Sequence, residues 1–545
     1  MIKAILLIGL ALSFCFFSYR RVLRFLHLFQ QDDYNGGRFL TWWLRSRAFD
    51  WRLSLCLVAV AAVWQADVVH LDAKIWLAAA AAFILVVAVR ESNPRKDGKK
   101  TLVMTQRATS TTYVALALVV AFLALLLVLP GASGASISSV RPLLLAWLVV
   151  GVQLLPLALV GADLILKPLE MRRQKFFWNE ARQRLRTIDP TIVAVTGSFG
   201  KTSVKHLLGH VLELTARGYF TPGSVNTPMG IAQVIREKLP SDCTHFVVEM
   251  GAYGPGSIAR LCLLTPPKVG VITAIGEAHY ERFKNLDTVT RAKFELATSV
   301  LSCPEGKVVV HESVLNQPFA RDFVAAHRPR VIVCGNGVTC DVTIVSSEQL
   351  THGLRIVLRW ENAEFELSAP LFGLHQIGNL ALVFGACVAL GLRPSTVIAA
   401  LRSAPQVKHR LEVKALANGN LYIDDAYNSN PSGFRSALSL LAHLAGTNRR
   451  KIVVTPGIVE LGERHKAVHR ELGELTGETA DIAIVVRPDR IPTFVEGLRT
   501  HAHCSVIAAD SFLQAKQWMD ANGTVGDVVL VENDLPDLYE RKFRI

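Results

Sequence analysis

The sequence predicts a multi-domain chain in which an N-terminal helical transmembrane region precedes soluble α/β structure. Two observations carry this. The long apolar runs all lie before about residue 167, and from Thr191 short β-rich runs alternate with helical stretches. At 545 residues the chain exceeds one ordinary domain, since roughly 100 to 200 residues make a domain. Its hydrophobic content of 51% and mean hydropathy of +0.32 come largely from the N-terminal part.

A helix needs about 20 predominantly apolar residues to cross the hydrocarbon core. Five segments approach this, near residues 2–19, 53–69, 74–90, 111–130 and 142–166, the second and third being short. The first lacks a small-residue cleavage motif before Tyr19-Arg20-Arg21 and is an expected uncleaved anchor rather than a signal peptide. Arg20, Arg21, Arg24, Arg38, Arg45 and Arg47 follow the first segment, and Arg90, Arg95, Lys96, Lys99, Lys100 and Arg107 follow the third. Lys167, Arg172, Arg173 and Lys175 follow the fifth, whereas the loops near 67–72 and 131–140 carry almost no basic residue. Basic loops stay in the cytoplasm. The expected topology is therefore multi-pass in the inner membrane, with the N-terminus outside and everything after residue 167 cytoplasmic.

The formal charge of +14, from 59 Lys+Arg against 45 Asp+Glu, is accounted for by this orientation, and no nucleic-acid-binding module is evident. Nine cysteines without a CxxC pair point to reduced thiols rather than a zinc or redox site. Asp163 is the one clear charge within a span, near its expected end, and the cluster Gln30-Gln31-Asp32-Asp33-Tyr34-Asn35 is expected to be a solvated loop. The membrane region either only anchors the chain or also recognises a lipid-linked substrate.

In the soluble part, strands are expected at Ile192–Val195, Phe246–Val248, Val269–Ile272 and Val308–Val310, which favours a mostly parallel sheet. The first strand leads into Thr196-Gly197-Ser198-Phe199-Gly200-Lys201-Thr202-Ser203, which opens a helix through Leu207 and Leu208. Glycines let backbone N–H groups face an anion, Lys201 can reach terminal phosphates, and the Thr202 hydroxyl can coordinate Mg²⁺. Strand, loop and helix together identify a nucleotide-phosphate site. Glu249 ends the second strand, and His279 and Glu281 follow the third, where open α/β sheets bind ligands. Carboxylate and imidazole there suit a divalent ion shared with phosphates, although a lone His279 is more often a surface histidine than a ligand.

These residues, in this order, resemble the Mur ligase superfamily, most closely its D-alanyl-D-alanine-adding branch. The resemblance covers about residues 190–530. It is carried by the phosphate loop through Lys205, then Asn226-Thr227-Pro228-Met229-Gly230, Glu249-Met250-Gly251-Ala252, Ala278-His279-Tyr280-Glu281 and Ala292-Lys293-Phe294-Glu295. Gly373 to Asn379, Arg410-Leu411-Glu412, Asp424 to Pro431, and Val459-Glu460-Leu461-Gly462 complete it.

The apolar runs assign residues 1–186 to a transmembrane region, and the resemblance implies a P-loop central ATPase domain over 187–405 and a Rossmann-like C-terminal domain over 406–545. It also implies ATP-dependent joining of a carboxylate to an amine through an acyl phosphate, with ATP and two Mg²⁺ ions as the cofactor set. By motif, Thr202 and Glu249 hold one Mg²⁺ and His279 a second, and Lys293 matches a lysine that becomes carbamylated. Gly197, Ser198, Gly200, Lys201, Thr202 and Ser203 face the phosphates. His375 and Asn379 match positions near the adenine, Arg410 and Asp425 reach phosphates and ribose, and Tyr427, Asn428 and Asn430 form the adjoining loop. Asn226 falls on the substrate side. Asn and Asp at several of these positions are equally suited to turns and caps.

Two departures bear on substrate. Membrane segments stand where the family begins with a small UDP-sugar-binding domain. A basic Lys-Gly-Ser run near the C-terminus is replaced by Glu532-Asn533-Asp534, followed by Leu535-Pro536-Asp537, so an acidic site selecting an amine is expected. The function expected is a membrane-anchored ligase acting on a small or lipid-linked envelope precursor and an amino acid or dipeptide. A poly-γ-glutamate or capsule-type peptide synthetase is the alternative within the class. An ATP-driven transporter or a nucleotide-binding scaffold is the alternative outside it.

Overall fold

The computed structural model describes the chain except residues 1, 33, 47, 67–71, 96–100, 133–136, 277–284, 428, 460 and 534–545, and except the side chains of 2–4, 66, 73, 126–132 and 137–144. The described chain forms two compact units, residues 1–174 and 175–534.

The first unit is helical. Its helices are Ile2–Gln31, Gly36–Arg45, Arg52–Ala66, Ala73–Arg90 and Gln106–Ala132, together with most of Ile137–Ile188. Among the described residues three stretches are long and apolar enough to cross a membrane: Ile5–Gln31, Gln106–Leu125 and Leu145–Ile188. The segments expected at 53–69 and 74–90 form the two shorter helices Arg52–Ala66 and Ala73–Arg90. Fifteen residues rise only about 22 Å against a core of about 30 Å.

The expected end of the first helix at residue 19 is corrected. The helix continues to Gln31, and Arg20, Arg21 and Arg24 lie on it rather than in a loop. Arg21 is buried; its guanidinium lies 2.7 Å from Asp50 and also pairs with Glu91, which Arg24 engages too. Partnered arginines do not interrupt a helix, and buried charges are found paired. Asp50 also accepts from the N–H groups of Leu53 and Ser54, so one carboxylate caps a helix and neutralises Arg21. Asp163 lies inside the long helix Ile137–Ile188, not near an end, and pairs with Arg107 at 2.8 Å. The expected loop at 30–35 is partly helical: Gln30 and Gln31 end the first helix, and Asn35 caps the next by accepting from the Arg38 N–H.

The second unit holds two sheets. The first comprises β1 (Thr191–Thr196), β2 (Gly218–Phe220), β3 (His245–Glu249), β4 (Val269–Ile272), β5 (Lys307–His311), β6 (Val331–Gly335), β7 (Val342–Leu350), β8 (Gly353–Trp360) and β9 (Ala363–Ala369). Their order is β2-β3-β1-β4-β5-β6-β7-β8-β9, parallel through β7 and antiparallel from β7 to β9. Side chains alternate between faces along a strand. Ile192 and Ala194 of β1 pack on one face with Ile231, Ile258 and Leu296. Val193 and Val195 pack on the other with Val204, Leu208 and Leu380. Both faces are thus covered by helices, as a parallel sheet requires.

The second sheet contains β10 (Glu412–Ala415), β11 (Leu421–Asp425), β12 (Lys451–Thr455), β13 (Ile482–Val486), β14 (Ser505–Ala509) and β15 (Val528–Glu532). Its order is β10-β11-β15-β12-β13-β14, parallel except for β10. Helices Pro431–Ala445, His465–Thr479 and Pro492–Leu498 pack on one face, and Phe512–Asn522 on the other.

Candidate active site

Strand β1 is central, flanked by β3 and β4, so the loop leaving it opens between two strand ends. Gly197 and Gly200 have φ of 154° and 79°. A Cβ on Gly197 would collide with the Thr273 hydroxyl, and one on Gly200 would lie 2.6 Å from Asn379 Oδ1. Glycine is therefore required at both positions. Gly200 caps the helix Lys201–Thr215 without a side-chain hydrogen bond, leaving its first N–H groups available to an anion. Ser198 locks the loop to the turn after β4: its N–H donates to Ala274 O at 2.7 Å, and the Gly276 N–H donates to its hydroxyl at 2.9 Å.

Lys201 folds back on this loop and donates to the carbonyls of Gly197 and Ser198 at 2.8 and 3.1 Å. Its enclosure pulls the ammonium down to about 8, a shift that Glu249 opposes and Arg410 reinforces. Thr202 donates to Glu249 Oε2 at 3.0 Å, and Asn226 to Glu249 Oε1 at 3.2 Å. The register Val195↔Glu249 puts this carboxylate beside the loop. Ser203 is buried one residue beyond Thr202 and lines the same cleft. Lys293, on the buried face of the helix Leu286–Leu301, has its amine held well below the ordinary lysine range, by burial first and then by the charge of Lys201.

The second sheet contributes from the opposite side. Arg410 reaches Thr202, Nη2 to Oγ1 at 3.4 Å, with its guanidinium 4.9 Å from the centre of the Tyr427 ring. His409 and Leu411 on either side adopt φ of 59° and 48°, a left-handed backbone that costs about 1–2 kcal/mol per non-glycine residue. Strain of this kind gathers where a side chain must be aimed. Tyr427 donates to the Ser224 hydroxyl across the cleft, and Asp425 Oδ1 accepts from the Leu411 N–H at 3.1 Å. The resulting cleft is about 1330 Å³ and is lined by both domains.

Residues 195–387 match the Mur ligase middle domain, and residues 409–532 match the Mur ligase, glutamate ligase domain. The chain belongs to the Mur ligase family.

Among similar proteins is the UDP-N-acetylmuramoyl-tripeptide–D-alanyl-D-alanine ligase of Mycobacterium tuberculosis, 33% identical over 292 residues that cover 52% of this chain and 56% of that one. The Escherichia coli enzyme of the same name is 26% identical over 322 residues, covering 58% and 70%. The chain thus spans little more than half the length of the mycobacterial relatives. The crystal structure of MurF ligase from Thermotoga maritima in complex with ADP superposes with a TM-score of 0.57 at 25% identity, covering 68% of this chain and 81% of that one. MurF from Acinetobacter baumannii gives the same TM-score at 24% identity, covering 66% and 77%, and bears on the fold alone.

In this Mur ligase the sequence-derived residues converge unequally. Gly200, Ser198, Lys201, Thr202, Ser203, Asn226, Glu249, His375, Asn379, Arg410, Asp425, Tyr427 and Asn430 all line the cleft. Asn379 touches the phosphate loop through Gly200, and its amide donates to Gln376 at 2.8 Å. Asn430 spends its side-chain oxygen on the Gly433 N–H at 3.0 Å, capping the helix Pro431–Ala445. Lys293 is not among the lining residues. His279 and Asn428 lie outside the described residues.

Lining residues that were not anticipated include His311, Glu312 and Tyr253, and Ser429 entered only within the Asp424–Pro431 motif. The strand-end rule applied to Val308–Val310 points to His311 and Glu312. Lys205, quoted only as part of the loop motif, has a buried ammonium 3.3 Å from Glu249. Glu295 of the Lys293 motif accepts from the N–H groups of Gly256, Ile258 and Ala259, capping the helix Ser257–Leu264. Glu532, expected to help form an acidic substrate-facing site, is instead fully buried and does not line the cleft.

Proposed function

We propose that the chain is an ATP-dependent ligase that joins a carboxylate to an amine. The observation that carries this is the convergence in one cleft of the phosphate loop, Glu249 and Arg410, drawn from two domains. The substrate carboxylate attacks the γ-phosphorus, the bond to ADP breaks, and an acyl phosphate results. The amine then attacks the acyl carbon, phosphate leaves, and the nitrogen gives up a proton. By the names of the relatives, the acid is a UDP-MurNAc-tripeptide-like envelope precursor and the amine D-alanyl-D-alanine or a similar dipeptide.

Each step brings anions together, so charge neutralisation is the main requirement. Lys201 and Arg410 supply positive charge to the phosphates. The Glu249 carboxylate and Thr202 hydroxyl, 3.0 Å apart, are hard oxygen donors suited to Mg²⁺, which supplies further neutralisation when bound. A second ion is assigned by motif to His279 and to Lys293 as its carbamate. A neutral, buried Lys293 amine is the form that attacks CO₂, losing a proton as the N–C bond forms. His375, Asn379, Asp425, Tyr427, Asn428 and Asn430 are assigned to the nucleotide, and Asn226 to the substrate.

The chain is divided into a membrane region over residues 1–186, an ATPase domain over 187–405 and a C-terminal domain over 406–545. The apolar helices are read as bilayer spans, and the basic residues after them support a cytoplasmic location for the catalytic domains. The test is phosphate release by detergent-purified protein with Mg²⁺ and ATP, screened against envelope precursors and amino acids or dipeptides, with Lys201→Ala as the blank. Release requiring both an acid and an amine, with a product heavier by the amine less water, establishes ligation. Lys201-dependent release requiring neither overturns it.

A further inference from the structure

Strands β11 and β15 both end in an acid. Asp425 and Glu532 are partners in the parallel register, so two carboxyl groups stand side by side at the same edge of the second sheet. Asp425 lines the cleft and Glu532 is fully buried behind it. The Ser429 hydroxyl donates to Glu532 Oε1, whereas Glu532 Oε2 is enclosed with no donor among the described residues. On Asp425, Oδ1 accepts from the Leu411 N–H and the backbone carbonyl from the Asn533 N–H, both at 3.1 Å.

Two adjacent carboxylates do not both ionise in an enclosed site unless a cation stands between them. Among the described residues the charged groups acting on Asp425, besides Glu532, are Arg410 and Asp424. Strand β12 presents Val454 opposite Val531, and the helix Pro431–Ala445 presents Phe434, Leu438 and Leu441 to this core, so neither brings a charge. The Asn533 amide is committed to Gly457 O at 2.6 Å. Among the described residues, a proton on the pair itself is what remains to satisfy the orphaned oxygen.

We propose that Glu532 is a positioning residue held as the neutral acid, donating its proton to Asp425, so that the chain Ser429–Glu532–Asp425 fixes the Asp425 carboxylate as an acceptor in the nucleotide cleft. This rests on the nucleotide reading of the cleft given above. Burial acts in the direction required: it pushes Glu532 well above the ordinary carboxyl range and Asp425 up to about 6.

The experiment has two readouts on the full-length protein. Infrared absorption at pH 7 is expected to show a protonated-carboxyl C=O band that disappears in Glu532→Gln; no such band, or one unchanged by the substitution, overturns the proposal. Calorimetric titration with ATP is expected to give an affinity that falls at alkaline pH in the wild type. Glu532→Gln, which keeps an N–H donor but cannot titrate, is expected to bind like the wild type at pH 7 and to show a smaller alkaline fall, the remainder being that of Lys201. Glu532→Ala is expected to bind about tenfold more weakly, the scale of one hydrogen bond to a charged group. Equal affinity in Glu532→Ala and wild type overturns the positioning role. The nucleotide reading fails separately, if Lys201→Ala binds ATP as the wild type does, and the infrared result is unaffected by that.

Discussion

The ammonium of Lys205 lies 3.3 Å from Glu249 Oε2 and also donates to the carbonyl of Gly223, with both charged side chains buried beneath the phosphate loop. One lysine therefore ties the carboxylate at the end of β3 to the segment that carries Ser224 and Asn226. Burial lowers its pKa, and Glu249 opposes that shift. Removing one member of a buried pair leaves the other uncompensated, at a cost of about 3–5 kcal/mol. Lys205→Met is expected to lose this much in chemical denaturation, and the double variant Lys205→Met/Glu249→Gln to lose less. Equal losses in the two variants would show that the pair is not what couples them.

Lys201 carries opposite pH signatures in activity and stability. Its protonated form is the one that neutralises phosphate, so turnover is expected to fall as pH rises through about 8. Its folded pKa lies below the unfolded value, so between about 8 and the ordinary lysine range the unfolded chain binds more protons and stability rises with pH. Parallel pH series of turnover and melting temperature check this, with Lys201→Met expected to abolish the stability increment. Loss of this single donor is expected to reduce kcat by roughly 10²–10³, the scale of one preorganised charge-stabilising contact.

Lys293 is expected to react with CO₂, because enclosure and then the charge of Lys201 hold its pKa well below the ordinary lysine range and so favour the neutral amine. Protein equilibrated with ¹³C-bicarbonate should show a carbamate carbonyl resonance that is missing in Lys293→Met. An identical spectrum from that variant would leave the lysine unmodified and assign it a packing role.

In the helical unit, Arg21→Ala would strand Asp50 in a buried setting, while Glu91 keeps Arg24. Thermal unfolding in detergent is expected to show a loss of about 3–5 kcal/mol, with Arg38→Ala, whose partner Asp32 is exposed to solvent, changing stability by less than about 1 kcal/mol. Similar losses in both would mean that burial does not set the cost.

Much of the site was legible because its chemistry is local. The turn Gly197–Gly200 requires glycine for backbone reasons, and strand, loop and helix follow one another within a few residues; Glu249 was legible as the polar end of an apolar strand. Charge along the N-terminal region was less legible. Counting basic residues placed Arg20, Arg21 and Arg24 in a loop, because the count takes no account of Asp50 and Glu91, which neutralise Arg21 from well beyond it in the chain.

By itself the sequence determined the apolar N-terminal segments, the α/β alternation after Thr191, the phosphate loop and the family motifs, all set by short-range backbone preference and by the period of apolar residues. Only the tertiary structure decided that Arg410 arrives at Thr202, that Asn379 closes on Gly200, and that Glu532 turns inward beside Asp425 instead of facing the cleft. Those relationships depend on strand order and register between distant segments. They are chosen by the packing of whole sheets, because a carboxylate is buried or exposed according to which strand lies beside it and not according to its neighbours in the chain.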